Sequence, residues 1–331
     1  MNLQNRIDLL AKLAEYIQQN DKEWTAIIKE AEAKNPWFIE NFTDKALSNI
    51  CNNFLEVKQL ETWIKHYCLD DNIKSKNVGI VMAGNIPLVG FHDFLSVFIS
   101  GHRQTIKLSS KDDVLLRHLI QQMYVFDKRT IEQITIAENL KGCDAYIATG
   151  SNQSSGYFKQ YFSSYPHIIR ENKTSVAILS GNETTEELER LAEDIHLYFG
   201  LGCRNVTKLY VPKNYDFTPV LKAFDTFSFL KQNRKYSNNY DYQLSILLLN
   251  KYPYMTNEVT LLIEHEQIFS SIGMVHYEYY DSEKKLTEDL KNNNDIQCIV
   301  GQKFIPFGKG QSPRLFDYAD GVDTMQFLLT L

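Results

Sequence analysis

The sequence has no apolar run long enough to cross a bilayer, no cationic stretch leading into an apolar core at its start, and no closely spaced pair of cysteines. The first two absences point away from the membrane and the secretory route, so a cytoplasmic protein is expected. The five cysteines, Cys51, Cys68, Cys143, Cys203 and Cys298, are odd in number and widely separated. That argues against a disulfide framework and a structural zinc site, and leaves thiols available for chemistry. Positive charge is not in excess either: 35 Lys and Arg stand against 41 Asp and Glu, a net charge of −6. No basic face for nucleic acid or an anionic membrane is implied, and the expected partner is a small molecule. The dinucleotide fingerprint GxGxxG is also absent, so any nucleotide must be held by another kind of turn.

What is present is enough apolar material, 44% of 331 residues, to form the cores of two modest domains. From Leu3 to Asn72 apolar residues recur at helical spacing, with Ile7, Leu10, Leu13 and Ile17 on one stripe. At Lys76 the rhythm changes to short apolar runs alternating with amphipathic helices. Strands are expected at Val78–Ala83, Gln104–Leu108, Ile131–Ala137 and Asp144–Ala148, with helices at Phe91–Ser100 and about Val114–Phe126. Such alternation predicts a mostly parallel, doubly wound α/β sheet. The theme repeats in the second half. A strand at Ser175–Leu179 leads to a helix opened by the capping box of Thr184 and Glu187, which stops at Gly200. Strands near 208–211, 259–263, 274–280 and 296–300 come next, before a Gly- and Pro-rich return at Phe304–Pro313.

Cys203 is the first chemical candidate. The glycines of Gly200-Leu201-Gly202 permit close approach of a substrate, and Arg204 and Lys208 are nearby cations that favour a thiolate. Spacing alone fits equally well with a small buried filler. Asn85, in the break Gly84-Asn85-Ile86-Pro87 after the first strand, places an amide where it can point at a developing oxyanion, or is an ordinary turn residue before a proline. Thr149, Gly150 and Ser151 make a turn at the start of a helix that suits phosphate, and Lys107 stands at a strand end within reach of ribose or phosphate.

Taken in order, Asn85-Ile86-Pro87-Leu88, Lys107-Leu108-Ser109-Ser110, the strand ending Thr149-Gly150-Ser151, and Gly202-Cys203 resemble the successive motifs of the aldehyde dehydrogenase superfamily. Residues 198–212 (YFGLGCRNVTKLYVP) and 304–313 (FIPFGKGQSP) resemble more narrowly the acyl-CoA reductases, or fatty acid reductases, of bacterial bioluminescence. The resemblance runs from about Val78 onward. It implies a Rossmann-type cofactor domain and an α/β catalytic domain behind a helical lead-in, with regions at 1–75, 76–175, 176–303 and 304–331.

By the same resemblance Cys203 is the nucleophile, and Asn85 and the Cys203 N–H are the oxyanion donors. Lys107 would contact the adenosine ribose, Gly150 and Ser151 with Thr149 the cofactor phosphates, and Phe269 the nicotinamide side. Gln267 stands where relatives keep a ribose-binding glutamate. Ser110 replaces another ribose-binding carboxylate, which shifts the expected cofactor from NADH towards NADPH, with no metal. Ile169 occupies the position of the water-activating glutamate of hydrolytic members, and Glu171 would take that place if the alignment slips by two. The resemblance therefore implies reduction of an acyl-CoA, or of a thioester on an acyl-carrying protein, through a Cys203 acyl-enzyme. The rivals are a hydrolytic NAD(P)-dependent aldehyde dehydrogenase, which Glu171 or Glu266 would have to serve as base, and a non-catalytic acyl-binding partner of an acyl-protein synthetase. A homodimer is a candidate assembly.

Overall fold

The structure, a computed structural model, describes residues 1–331 apart from the side chain of Asn152. The chain forms two compact units, one of residues 1–172 with 313–331 and one of residues 173–312.

The first unit begins with helices α1 (Leu3–Gln19), α2 (Lys22–Lys34), α3 (Glu40–Asn49) and α4 (Val57–His66). Asn2 and Asp21 cap α1 and α2 by accepting the N–H of Asn5 and Trp24, the usual way to satisfy a first-turn donor. The apolar stripes of these helices do not form a core of their own. Leu10, Leu13, Trp24 and Trp63 share one core with Val78, Ile80 and Ile106 of the sheet. That sheet comprises β1 (Asn77–Val81), β2 (Arg103–Lys107), β3 (Ile134–Ile136), β4 (Ala145–Thr149) and β5 (His167–Arg170). The order is β3-β2-β1-β4-β5, all parallel. Helices α5 (Phe91–Ser100), α6 (Val114–Phe126) and α7 (Asn152–Phe162) make the crossovers. The direction of winding reverses between β1 and β4, and in such sheets ligands bind outside the carboxyl ends of the strands at that point.

Near Arg170, residues far apart in the chain are joined. Its guanidinium donates to both carboxylate oxygens of Asp93 on α5, at 2.6 and 3.3 Å, to the Ala319 carbonyl at 2.7 Å and to Thr324 Oγ1 at 2.8 Å. Ala319 and Thr324 belong to the returning segment, which ends in α12 (Thr324–Leu329). Trp63 Nε1 donates to Tyr318 Oη at 2.9 Å and Tyr67 Oη to Asp323 at 2.6 Å, fastening the same segment to α4.

The second unit contains β6 (Thr174–Ile178), α8 (Thr185–His196), β7 (Val206–Pro212), α9 (Thr218–Phe224), α10 (Arg234–Leu249), β8 (Met255–Thr256), β9 (Leu261–Glu264), β10 (Met274–Tyr280), α11 (Glu283–Lys291) and β11 (Ile296–Val300). The sheet order is β11-β6-β7-β10-β9-β8, parallel except for the short β8. Thr184 and Glu187 form the capping box of α8. The aromatic run 217–229 contributes to the core: Phe224 and Phe227 pack on the buried His196, with ring centroids 4.8 and 5.0 Å away. Asp194, fully buried, accepts the N–H of Gly308 at 2.6 Å and of Gly310 at 2.9 Å and so ties down the glycine-rich return. Among the described residues no helix is long and apolar enough to cross a membrane.

Candidate active site

In the first unit, Asn85, Lys107, Ser110, Thr149, Gly150 and Ser151 gather at the carboxyl ends of β1, β2 and β4. Val81, the last residue of β1, pairs with Lys107 on one side and Ala148 on the other. The turns beyond these strands therefore lie side by side at the reversal point. Lys107, Ser110 and Ser151 are exposed, while Asn85 is half-buried. Ser151 caps α7, accepting from Ser154 N at 3.3 Å.

The Asn85 turn is shaped by its neighbours. A Cβ at Gly84 would lie 2.5 Å from Ser109 Oγ, so only glycine lets this turn close on the turn after β2. Leu88 N–H donates to Asp112 Oδ2 at 2.7 Å, and Leu88 itself adopts a left-handed backbone, φ 55. Oδ1 of Asp112 is buried without a hydrogen-bond partner. Burial pushes this carboxyl up to about 7, against the pull of the Leu88 N–H and helped by the charge of Asp113.

In the second unit Cys203 lies in the turn between α8 and β7. After His196 the chain passes through left-handed conformations at Tyr198 (φ 55), Phe199 (φ 58) and Gly200 (φ 75). Such a run costs energy at the two aromatic residues, and the surroundings have to hold it. Asn205 does much of that. Its Oδ1 accepts Gly202 N–H at 2.8 Å, while its Nδ2 reaches the carbonyls of Asp194, Ile195 and Leu197 at 3.1, 3.1 and 2.9 Å. From β6, Ser175 Oγ donates to the Cys203 carbonyl at 3.1 Å. A cleft of about 20 Å³ borders this turn, lined by His196, Phe199, Gly200 and residues 270–275, with room for a water rather than a chain of carbons.

The cysteines differ in setting. Cys51, Cys143 and Cys298 are buried, and burial pushes each thiol up, Cys51 to about 11. For Cys298 the nearby Arg204 pulls the other way without overcoming burial. Cys203 is partly exposed, and Cys68 is exposed beyond the end of α4. Lys208, read from the sequence as a cation for Cys203, is occupied elsewhere. Its buried ammonium donates to the Glu266 carbonyl at 2.7 Å, bonds the Glu278 carboxylate and lies over the Tyr210 ring.

Gln267 and Phe269, both exposed, occupy the loop after β9. This loop is joined to β7, the strand after Cys203, because Thr207 Oγ1 donates to the Ile268 carbonyl at 2.7 Å. His276 Nδ1 lies 2.8 Å from the Gln267 carbonyl and, facing an acceptor, carries the proton. Burial lowers that imidazole to about 4, so it holds the loop as a neutral donor. Ile169 sits half-buried in β5. The Glu171 carboxylate is bound by the Lys159 ammonium and lies 3.3 Å from Ser155 Oγ.

Residues 42–220 match the acyl-CoA reductase (LuxC) family. No curated protein matches the chain. Among solved structures the fold is similar to aldehyde dehydrogenase 21 of Physcomitrella patens, in complex with the reaction product succinate, at TM-score 0.66 and 12% identity over 91% of this chain and 74% of that one. The NAD+ complex of an aldehyde dehydrogenase from Bacillus cereus gives TM-score 0.63 and 12% identity over 89% and 70%. A betaine aldehyde dehydrogenase from Staphylococcus aureus, also with NAD+, gives 0.65 and 10% over 91% and 70%.

Proposed function

Because the chain belongs to the acyl-CoA reductase (LuxC) family and has the aldehyde dehydrogenase fold, we propose that it reduces an acyl thioester to an aldehyde through an acyl-enzyme on Cys203. The observation that supports this most is the contrast between thiols. Cys203 is partly exposed on a turn held by a buried amide, whereas Cys51, Cys143 and Cys298 are buried with raised pKa values and the exposed Cys68 follows the end of α4, away from the turns of either sheet.

The Cys203 thiolate attacks the thioester carbonyl, the bond to the departing sulfur breaks, and that thiolate leaves and takes up from solvent the proton that Cys203 had released. The Asn85 amide and the Cys203 N–H are assigned to the oxyanion by the family resemblance, and a donor of this kind is worth about 10²-fold in rate. The carboxyl edge of the first sheet suits a nicotinamide dinucleotide, with Lys107, Ser110, Thr149, Gly150 and Ser151 accessible around the reversal point. Gln267 and Phe269 would take the nicotinamide side. When bound, the reduced cofactor would supply a hydride to the carbonyl carbon of the Cys203 thioester, and breaking the C–S bond would release the aldehyde and return the Cys203 thiolate.

NADPH is the preferred cofactor on this reading. Ser110 brings no carboxylate to the ribose, and the next two in the chain are engaged, Asp112 by Leu88 N–H and Asp113 by Lys34 at 2.6 Å. The hydrolytic alternative is disfavoured chiefly by Ile169, an alkyl side chain at the position the resemblance gives to the base, while Glu171 forms an exposed ion pair with Lys159. Intact-mass measurement after mixing with a panel of acyl-CoAs, with and without NADPH or NADH, tests the proposal. An acyl adduct is expected that is absent in Cys203→Ala and that NADPH discharges as aldehyde. Acylation and aldehyde formation that persist in Cys203→Ala would overturn it.

A further inference from the structure

We infer that Asn205 and Ser175 are positioning residues for Cys203, fixing the Gly202–Cys203 backbone in the attitude from which its thiol attacks; the inference rests on Cys203 being the nucleophile. The left-handed run at residues 198–200 turns the chain off α8 and leaves helix-end carbonyls without successor donors. A single fully buried side chain meets that need. Asn205 Nδ2 has two hydrogens for the carbonyls of Asp194, Ile195 and Leu197, and its Oδ1 accepts Gly202 N–H. Its backbone N–H also donates to the Gly202 carbonyl at 3.0 Å, and its carbonyl accepts from Ser175 N at 3.0 Å and from Thr174 Oγ1 at 3.2 Å. The helix end, the cysteine turn and β6 thus meet at one residue. A short planar group carrying one acceptor and two donors is needed there, which is asparagine; an ionised aspartate has no donor.

Ser175 completes the support from the other side. Its hydroxyl has one proton, and the Cys203 carbonyl, which can only accept, takes it. The remaining contacts are then accepted by Ser175 Oγ: Cys298 N–H at 3.2 Å and the Cys298 thiol at 3.0 Å. Burial keeps that thiol protonated and therefore a donor. The carbonyl of the nucleophile is thus held by a chain that runs from Cys298 through Ser175.

The test compares two reactions of Cys203 in wild type, Asn205→Asp and Ser175→Ala, with thermal unfolding as the control for folding. Single-turnover acylation by an acyl-CoA, read by intact mass, needs an oriented thiol. Alkylation by iodoacetamide needs only an accessible one. Acylation is expected to fall about 100-fold in Asn205→Asp and about tenfold in Ser175→Ala, the size of one lost hydrogen bond, with alkylation within about twofold of wild type. The Asn205→Asp deficit relative to wild type should shrink as pH falls, since a protonated carboxyl regains one donor. Equal losses in both reactions, or none in folded variants, would overturn the inference. If Asn205→Asp does not fold, the same split in Ser175→Ala decides. A wild type that is never acylated removes the nucleophile reading and this inference together, whereas an acylated wild type with unaffected variants removes the inference alone.

Discussion

Asp112 shows how one buried side chain ties pH to stability. Its folded carboxyl titrates at about 7, against an ordinary 3.8, because burial disfavours the charge. Folding therefore takes up a proton between those values. The contribution is full below about pH 4 and is lost as pH rises to about 7. His196 and His276, pushed down to about 4 by burial, run the opposite way: their contribution is full above 6.5 and is lost as pH falls towards 4. The total profile mixes both, so the comparison has to be with a variant. Asp112→Asn keeps an acceptor for Leu88 N–H and cannot ionise, so its stability relative to wild type should climb from pH 4 to 7 in urea unfolding. A flat difference would mean that Asp112 titrates as it does in the unfolded chain. None of this is legible in the sequence. Asp112 bonds a residue 24 positions away, and Asn205 bonds carbonyls 8 to 11 positions back, so no local pattern marks either. The turns that carry Cys203 and Asn85 are readable as turns, because glycines and a proline shape them locally, while the roles of the two residues come only from the family resemblance.

At the scale of elements, most strands and helices follow the periodicity, since strands such as Ala145–Thr149 are largely buried and mainly apolar and α8 announces itself by its capping box. Two exceptions stand out: of Ile131–Ala137, expected as a strand, only Ile134–Ile136 is one and residues 128–132 form a 3-10 turn, and at the exit from α8 Tyr198 and Phe199 take a conformation that aromatic residues ordinarily avoid and only tertiary bonding explains. Strand β5 carries the element-level prediction. Ile169 is half-buried there, in register with Ala148 of β4, and an alkyl group cannot take a proton from water. Acylated wild-type enzyme should release free acid slowly. Ile169→Glu should release it faster, whereas Glu171→Gln, which alters a carboxylate already engaged by Lys159, should leave the rate unchanged. Rapid release by wild type that vanishes in Glu171→Gln would favour a hydrolytic enzyme.

For the whole molecule the alternation of strands and helices gives the α/β class, but the return of residues 313–331 to the first unit has no signature in sequence, being made by scattered partners: Tyr318 with Trp63, Asp323 with Tyr67, Thr324 with Arg170. Arg170 and Asp93 are both buried, so Asp93→Ala would strand a guanidinium and should cost about 3–5 kcal/mol in the first unit. Urea unfolding measures the loss, and a cost below about 1 kcal/mol would mean that Arg170 finds compensation. The discontinuity also sets an order of events during synthesis. Residues 173–312 are contiguous and have all their internal partners as soon as they leave the ribosome, whereas Arg170, made earlier, waits for Ala319 and Thr324. The unit whose amino-terminal residues emerge first is therefore the last to close, and a stalled or shortened translation product would present residues 173–312 finished while residues 1–172 still lack their last partners.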